Sequence, residues 1–483
     1  MKAYLSLAFL IWSLFSIPTL AGGPPSSLKL MDAADKKPIE GVTFHYGDQH
    51  GISAPAGMIT LSILENQSLV FSHIAYGTWT LSDGELADAV KAGVLYRAQR
   101  PIEVQPVTVI HVHPRGEDVE QLALDVEDKL SHDAGAILNQ NAAISSIRKS
   151  GSYGFDPVFR GFKYDQLNLV IDGAQCATAA CPNRMDPPAS QVAPNMMERV
   201  EILKGPHSFR YGTAFGGTVN FESAPLSFSE RPQVYGRWSG SSESNGGIYR
   251  TEGMGGFRGN RYNLNLFGSF SNGEDYEDGG GVAVPARFQR ASAGARLGVS
   301  VTENQDLTLS ITHNNAQDTQ FPALPMDLRS DKTWLFNARY EGRFSGGALS
   351  RWSTTAFATS VDHLMDNLDK VLVPRMMDAR TDATTLNYGG RSETTWMLGY
   401  ARLYAGLDLR VEKAEGDRTR SFLMGPMAGR TVYDNVWNGG EVAKAGAFGE
   451  YHRAFDDFRM VMSGRLEVNK SRATDLNEGF AAN

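Results

Sequence analysis

The sequence lacks several features that would each point to a large class of proteins. After an apolar run at residues 5–17, no stretch approaches the ~20 apolar residues of a transmembrane helix, so any membrane crossing would be made by strands. Only two cysteines, Cys176 and Cys181, occur in 483 residues, which excludes a disulfide scaffold. Acidic residues outnumber basic ones by 54 to 46, and nucleic-acid binding requires clustered Lys and Arg, so we predict no nucleic-acid partner.

Recognisable catalytic patterns are also missing. We find no paired carboxylates, nucleophile elbow or zinc-hydrolase spacing, and therefore do not expect an enzyme. Glycine and aromatic residues are abundant instead, with 50 Gly, 10% aromatic residues and a formal net charge of −8. This composition is typical of a loop-rich β protein, and the length allows more than one domain.

The N-terminus has the organisation of a secretory signal peptide. Lys2 supplies the positive charge, the apolar run ends at Pro18, and Thr19 and Ala21 are the small residues expected before a cleavage site. We predict a signal peptide at residues 1–21, so that the mature protein begins beyond the inner membrane.

Residues 27–101 have the pattern of a small β-sandwich. The short runs Thr43–Tyr46, Met58–Leu61 and Leu69–Phe71 lie between Gly, Pro and Asp turn signals. The stretch Lys37–Val42 resembles the opening of the carboxypeptidase-regulatory-like module. Such modules carry no catalytic residues, so the resemblance implies an accessory role.

An extended tract lies in residues 102–130, which we predict to be a linker. Its segment Val104–Val112 is rich in β-branched residues and could add itself as a strand to the sheet edge of a partner. It could equally be the last strand of the preceding sandwich, and both interpretations stay open here.

Residues 131–225 mix helix and strand signals. Asp133 can cap a short helix that runs to Leu138, and residues 165–173 indicate a strand that ends in a turn at Asp172-Gly173. A second passage from helix to strand is expected between Met196 and Lys204. This stretch is too polar and too rich in glycine to be the wall of a barrel.

Residues 231–483 repeat a different pattern, in which segments of about ten residues alternate with period two between Gly, Asn and Asp turns. In residues 262–270, for example, Tyr262, Leu264 and Leu266 share one face. The repetition, with aromatic residues near segment ends, favours a transmembrane antiparallel β-barrel over a soluble sandwich. At ~9–11 residues per crossing, the chain supplies about half the strands of a 22-stranded barrel, so we expect an incomplete barrel from a fragment or an incomplete gene product.

Five separated blocks within residues 159–220 resemble, in order and spacing, the plug domain of TonB-dependent receptors. The blocks are Phe159–Phe162, Val170–Gly173, Val200–Pro206, Arg210–Gly212 and Gly216–Asn220. The resemblance implies a mainly β fold with three parts: the β-sandwich module, an α+β plug, and the N-terminal part of a transmembrane barrel of the 22-stranded class.

The same resemblance implies two sets of contact residues. Arg160, Lys204 and Arg210 would face acidic side chains of the barrel wall and hold the plug. The segment that binds TonB would lie at Val107, Thr108, Val109 and Ile110 or just after it.

Residues 179–188 resemble the copper-receptor branch of this family. In that branch a Cys-x3-Met on the plug and a His-x-Met on the barrel bind the metal, and the matching residues here are Cys181, Met185, His363 and Met365. Thiolate and thioether sulfurs are soft ligands that select Cu(I), and imidazole also suits copper. Cys176 departs from the pattern, and it could form a disulfide with Cys181, act as a fifth ligand, or take no part.

Three further methionines could extend the soft surface as accessory metal ligands. They are Met326, Met376 and Met377, which fall where extracellular loops are plausible. Their alternative interpretation is that of ordinary loop or lipid-facing residues.

Together these resemblances imply a receptor in the outer membrane of a Gram-negative cell that imports copper and needs no cofactor. The expected partners are the TonB–ExbB–ExbD energy complex, the copper ion and outer-membrane lipid. Two alternatives stay open: a receptor of the same family for a siderophore, a haem or a peptide, and a periplasmic binding or adhesion protein built on the N-terminal sandwich.

Overall fold

The computed structural model describes residues 25–64, 67–99, 119–131, 133–150 and 153–474, and contacts divide the chain after His113 into two units. The predicted signal peptide and the predicted TonB-binding residues Val107 to Ile110 lie outside the described residues. Among the described residues, no helix is both long enough and apolar enough to cross a membrane.

The N-terminal unit is a β-sandwich with one helix in its described part. Its elements are β1 (Pro25–Asp32), β2 (Thr43–Tyr46), β3 (Gln49–Ile52), β4 (Met58–Ser62), β5 (Leu69–His73), β6 (Gly77–Leu81), α1 (Asp83–Ala92) and β7 (Val94–Arg97). The sheets have the orders β4-β1-β7 and β3-β2-β5-β6, and apolar residues of both sheets share one core. The three strands predicted in this region are therefore confirmed.

Helix α1 was not predicted, although its ends carry recognisable signals. Ser82 and Glu85 form a capping box, in which the Glu85 carboxylate accepts from the Ser82 amide at 2.9 Å. Gly93 ends the helix with a φ of 70°. Leu86 and Ala89 turn the apolar face of the helix into the sandwich core.

The second unit begins with an α+β domain that we call the plug. Its elements are β8 (Val119–Ala123), α2 (Val126–Leu130), α3 (Ala134–Ile137), β9 (Ile144–Arg148), β10 (Phe155–Phe159), β11 (Phe162–Lys163), β12 (Leu167–Ile171), β13 (Ala174–Gln175), β14 (Met197–Leu203) and β15 (Gly217–Ser223). Short 3-10 helices occupy Leu138–Gln140, Tyr164–Gln166, Pro188–Gln191, Pro194–Met196 and Gly205–Arg210. The strands form sheets of order β13-β12-β15-β14-β8 and β11-β10-β9.

The plug begins earlier than the sequence indicated. Strand β8 falls in the predicted linker, yet it pairs antiparallel with β14, with Glu120 opposite Ile202. The strand that pairs with β8 lies some 80 residues further along the chain, as the side-chain bond from Gln121 to Glu201 illustrates. No local pattern therefore marked β8 as part of the plug. The predicted linker must therefore end before Val119.

Asp133 organises the first half of the plug, as its predicted role as a helix cap suggested. Its buried carboxylate accepts from the amide of Gly135 at 2.8 Å and thereby caps α3. The same side chain accepts from the Gly154 amide at 2.9 Å and the Ser190 hydroxyl at 2.6 Å, so it ties together three separate stretches of chain.

An antiparallel sheet of eleven strands forms the rest of the described chain, and each strand pairs with the next large strand in sequence. Its strands are β16 (Gln233–Glu243), β17 (Ile248–Arg258), β18 (Tyr262–Gly273), β21 (Phe288–Thr302), β22 (Gln305–Thr319), β23 (Asp327–Arg343), β24 (Leu349–Asp366), β25 (Met377–Leu398), β26 (Ala401–Phe422), β27 (Thr431–Ala454) and β28 (Arg459–Arg472). A small ribbon of β19 (Tyr276–Glu277) and β20 (Ala283–Val284) lies between β18 and β21. The strand number agrees with the predicted half of a 22-stranded barrel.

The two faces of this large sheet differ in polarity. Apolar side chains such as Leu266, Leu407 and Leu466 are 55%, 64% and 80% exposed. Polar side chains on the other face are buried, among them Asn263 and Thr333. This inverts the arrangement of a water-soluble sandwich and agrees with a barrel wall that is apolar outside and polar inside.

The plug packs against the polar face of the sheet, and many of the contacts are hydrogen bonds to its backbone. Asn387 on β25 donates to the carbonyl of Cys176 at 3.0 Å, and Thr385 donates to that of Thr178 at 2.7 Å. Asn314 on β22 similarly donates to the carbonyl of Gln191 at 2.6 Å. These bonds fix the plug segment of residues 176–191 on the inner wall.

Candidate metal centre

A tight turn in the plug brings Cys181 and Met185 to the same place. The Arg184 amide donates to the Cys181 carbonyl at 2.8 Å, and Arg184 adopts a φ of 51°. The Arg184 guanidinium forms a two-pronged ion pair with the buried carboxylate of Asp156 at 2.6 and 3.1 Å. The turn is therefore anchored to β10 rather than free to move.

Asp186 fixes the start of the same turn. Its carboxylate accepts from the amides of Ala180 at 2.6 Å and Cys181 at 3.0 Å. On the barrel side, the Trp437 indole donates to the Ala180 carbonyl at 2.7 Å. Burial raises the pKa of Asp186 to about 6, and the nearby His363 opposes this rise.

Strand β24 supplies the second pair of candidate ligands. His363 and Met365 are two residues apart, so they point to the same face, and both are buried, at 0% and 3% exposure. They lie close to the end of the strand at Asp366, as expected for residues next to a loop.

The structure brings the four predicted ligands together. The Cys181 and Met365 sulfurs are 3.6 Å apart, and Met185 lies in the same buried cluster, which Tyr153 and Phe321 also line. Cys181, Asp186 and His363 each place a ligand atom within 4.8 Å of the other two. Two sulfurs bound to one metal at ~2.3 Å in tetrahedral geometry would be about 3.8 Å apart, close to the spacing observed.

The two ring nitrogens of His363 have different surroundings. Its Nδ1 lies 2.9 Å from the carboxylate of Asp331, the residue directly opposite on β23, while its buried Nε2 has no hydrogen-bond partner among the described residues. Gln191 donates to the Asp331 carboxylate at 3.3 Å, and the Thr333 hydroxyl holds Gln191 in turn by donating to its side-chain oxygen at 2.7 Å. A buried, unpartnered imidazole nitrogen beside two sulfurs fits the donor set of a metal site.

Sequence reasoning missed Asp331, Gln191 and Asp186 as parts of this centre. Asp331 is identified only by the register of β23 against β24, which no local pattern specifies. Asp186 follows directly after the Cys-x3-Met segment, so its position was a usable signal.

The accessory candidates divide into two groups. Met326 packs against the buried cluster around Cys181. Met376 is 44% exposed in the loop before β25, and Met377 begins that strand, so neither belongs to the cluster.

Cys176 is a free thiol in the plug core, and burial there raises the pKa of its thiol. Cys181 is also a free thiol, so the disulfide alternative is not what the structure contains.

Of the three cations expected to hold the plug, Arg210 pairs with the described part of the wall. It forms a two-pronged ion pair with Glu393 on β25 at 2.9 and 2.6 Å. Lys204 pairs instead with Glu120 at 2.6 Å, because β8 brings that carboxylate alongside β14 within the plug, so the expected wall contact was wrong for Lys204. Arg160 is exposed and lies over the ring of Phe159, and its wall contact stays a prediction.

Comparisons with known proteins agree with this architecture. The sequence model of the family described as "TonB-dependent Receptor Plug Domain" matches residues 122–218. No curated protein sequence matches the chain.

Several solved structures have the same fold. The structure titled "Copper transporter OprC" has a TM-score of 0.65 and 22% identity, over 74% of this chain and 56% of that one. A pyoverdine-bound FpvA from P. aeruginosa has a TM-score of 0.56 and 14% identity, over 74% and 52%. The FrpB iron transporter from Neisseria meningitidis has a TM-score of 0.56 and 13% identity, over 74% and 61%. The chain thus spans little more than half the length of these structures.

Proposed function

We propose that this chain, a TonB-dependent receptor by its plug domain and its fold, imports copper across the outer membrane of a Gram-negative cell. The observation that carries the proposal is the meeting of Cys181 on the plug with Met365 on the barrel at 3.6 Å, beside His363, whose buried Nε2 has no hydrogen-bond partner within the described residues. Sulfur and imidazole donors favour Cu(I) over hard cations, for which oxygen ligands would be needed. Copper is here the cargo, and the protein makes and breaks no covalent bonds.

The position of the centre between plug and barrel suggests how uptake would work. A metal held by ligands from both parts links them, so its binding can favour one plug arrangement over another only as far as it binds that arrangement better. The TonB–ExbB–ExbD complex would then pull on the chain near Val107 to Ile110 and open a path. The apolar outer face of the eleven-stranded sheet would contact outer-membrane lipid.

A titration with Cu(I) tests the assignment, using a competing chelator and the Cys181→Ala variant of the full chain. Loss of a thiolate ligand should lower copper affinity by more than the roughly 10–100-fold that loss of an outer-shell partner costs. The matched control is Cys176→Ala, which removes a buried thiol of the same plug segment that lies in a different cluster, and it should keep the affinity of the parent.

The opposite result has a clear meaning. If Cys181→Ala binds copper as well as Cys176→Ala and the parent do, copper import must be abandoned. The chain would then be a receptor of the same family for a siderophore, a haem or a peptide, with Cys181 serving only the architecture of the plug.

A further inference from the structure

A second group of metal-ligating side chains lies where the plug meets β27. The Glu450 carboxylate oxygen Oε1 is 3.0 Å from His207 Nδ1 and 2.6 Å from His452 Nε2. His207 belongs to the short helix Gly205–Arg210 of the plug, whereas Glu450 and His452 share one face of the strand. Like the centre around Cys181, this group therefore joins the plug to the wall.

The second group is at the other end of the sheet. Glu450 and His452 lie close to the C-terminal end of β27, which runs antiparallel to β24, whereas His363 and Met365 lie close to the C-terminal end of β24. The group opens on a cavity of about 950 Å³ between plug and wall, which is lined by His207, Glu450 and His452, by plug acids such as Glu201 and Glu222, and by arginines such as Arg391.

We propose that His207, Glu450 and His452 form a second metal site, which binds a borderline divalent cation such as Cu²⁺ or Zn²⁺. Two imidazoles and a carboxylate are the donors that such ions accept, in contrast to the sulfur ligands of the first centre. The ability of this site to bind metal does not rest on the proposed copper import.

The distances within the group are close to those of a formed site. Ligands at ~2.0–2.1 Å from a tetrahedral metal lie about 3.3 Å from each other, so the observed 3.0 and 2.6 Å need expansions of about 0.3 and about 0.7 Å. Such a metal would replace the hydrogen bonds that now join the two rings to the carboxylate.

Glu450 carries a sign of an unused ligand position. Its side chain is 0% exposed, and its second oxygen, Oε2, has no hydrogen-bond partner within the described part of the chain. A buried carboxylate oxygen without a partner is costly, and a bound cation would satisfy it.

Arg210 places a positive charge beside the site, with its Nη1 4.0 Å from Glu450 Oε1. Two bonds direct its guanidinium to Glu393, whose carboxylate Arg391 also contacts. The short bonds of Arg210 are therefore those to Glu393, whereas the short hydrogen bonds of Glu450 are those to the two imidazoles.

Zinc binding to the full chain tests this site without involving the first centre. The background is the Cys181→Ala/Met365→Ala double variant, which lacks both sulfurs of the 3.6 Å pair. Equilibrium dialysis with Zn²⁺ should find one bound ion in this background. Adding His452→Asn should weaken its binding by more than about 10–100-fold, the loss expected for an outer-shell partner.

A matched control and a second variant distinguish the loss of a zinc ligand from a general loss of folding. His313→Asn removes a histidine of β22 that stacks on Trp334 away from the cavity, and it should leave zinc binding unchanged. Glu450→Gln keeps the size and an acceptor oxygen but loses the charge, so it should weaken zinc binding while far-ultraviolet circular dichroism stays unchanged. Zinc should also raise the melting temperature of the background but not of the His452→Asn variant.

Two results would overturn the proposal. One is the absence of bound zinc in the double-variant background, and the other is equal zinc affinity in the His452→Asn and His313→Asn variants. In either case the group is only a hydrogen-bonded joint between plug and wall. Failure of copper to bind at Cys181 would leave these measurements, and their outcome, untouched.

Discussion

At the scale of single residues, the candidate metal centre depends on how one imidazole ring is held. The Asp331 carboxylate pairs with Nδ1 of His363, which leaves Nε2 without a hydrogen-bond partner among the described residues, and the Cys181 sulfur lies within 4.8 Å of the ring. Asp331 is itself fixed by Gln191 of the plug, so the plug orients a ligand on the wall. This coupling means that a shift of the plug would disturb the ligand geometry as well as the contact between the two sulfurs.

Substitution of Asp331 by Asn should show how much this orientation contributes. We expect copper affinity to fall about 10–100-fold, because the imidazole loses the negatively charged acceptor that fixes its tautomer and its direction. Chelator competition on the purified full chain measures the change. Asp362→Asn is the matched control, since it alters an exposed carboxylate next to His363 on the same strand. Equal affinities of the two variants would show that Asp331 does not position the ligand.

At the scale of elements, the plug sheet contains a titratable pair next to the cavity. Glu201 on β14 and Glu222 on β15 lie on adjacent strands, and Arg199 contacts both carboxylates. Burial, reinforced by the charge of Glu201, raises the pKa of Glu222 from the usual 4.5 to about 7. The folded plug therefore binds a proton near neutral pH that the unfolded chain would already have released.

The stability of β14 and β15 should consequently fall as pH rises. A carboxyl whose folded pKa is raised contributes most below its unfolded value of 4.5, and the contribution is lost as pH passes through about 7. The loss should be on the order of 1–2 kcal/mol after allowance for solvent screening. Hydrogen exchange of the amides of both strands, corrected for intrinsic rates, measures it between pH 5 and pH 8.

Two variants separate this effect from a general response of the protein to pH. Glu222→Gln should flatten the profile, whereas Glu198→Gln, which alters a half-exposed carboxylate on the neighbouring strand β14, should keep it. An unchanged slope in Glu222→Gln would assign the pH dependence to another group.

The comparison between sequence and structure also belongs to the scale of elements. Patterns within a few residues were sufficient for the strands of the large sheet and for the cap at Asp133, whereas the Cys-x3-Met and His-x-Met pairs came from a family resemblance. The predictions that failed concern residues whose partners are distant in sequence. Strand β8 forms only by pairing with β14, and Lys204 forms its ion pair with Glu120 of that strand. Helix α1 is different, because its capping box and terminal glycine were local signals that could have been used.

At the scale of the whole molecule, the polarity of the two faces of the eleven-stranded sheet indicates which environment surrounds the protein. One face buries polar groups against the plug, and the other exposes rows of apolar side chains such as Leu407 and Leu409 on β26, at 64% and 54%. In water this apolar outer face would cause the protein to associate, whereas in a bilayer it would contact the lipid hydrocarbon. The N-terminal sandwich, in contrast, has a buried apolar core of its own.

A charge placed on the outer face distinguishes these two environments. Leu407→Arg should cost ~2–4 kcal/mol if the side chain lies near the bilayer midplane, so the amount of protein in the outer-membrane fraction should fall. In a water-soluble protein the same change at an exposed position would cost no more than about 0.5 kcal/mol. The control is Val371→Arg, which introduces the same charge at an 89% exposed position in the loop after β24 and should leave the fraction unchanged. If both variants fractionate like the parent, and above all if the parent is recovered in the soluble periplasmic fraction, the outer face meets water and the barrel assignment is wrong.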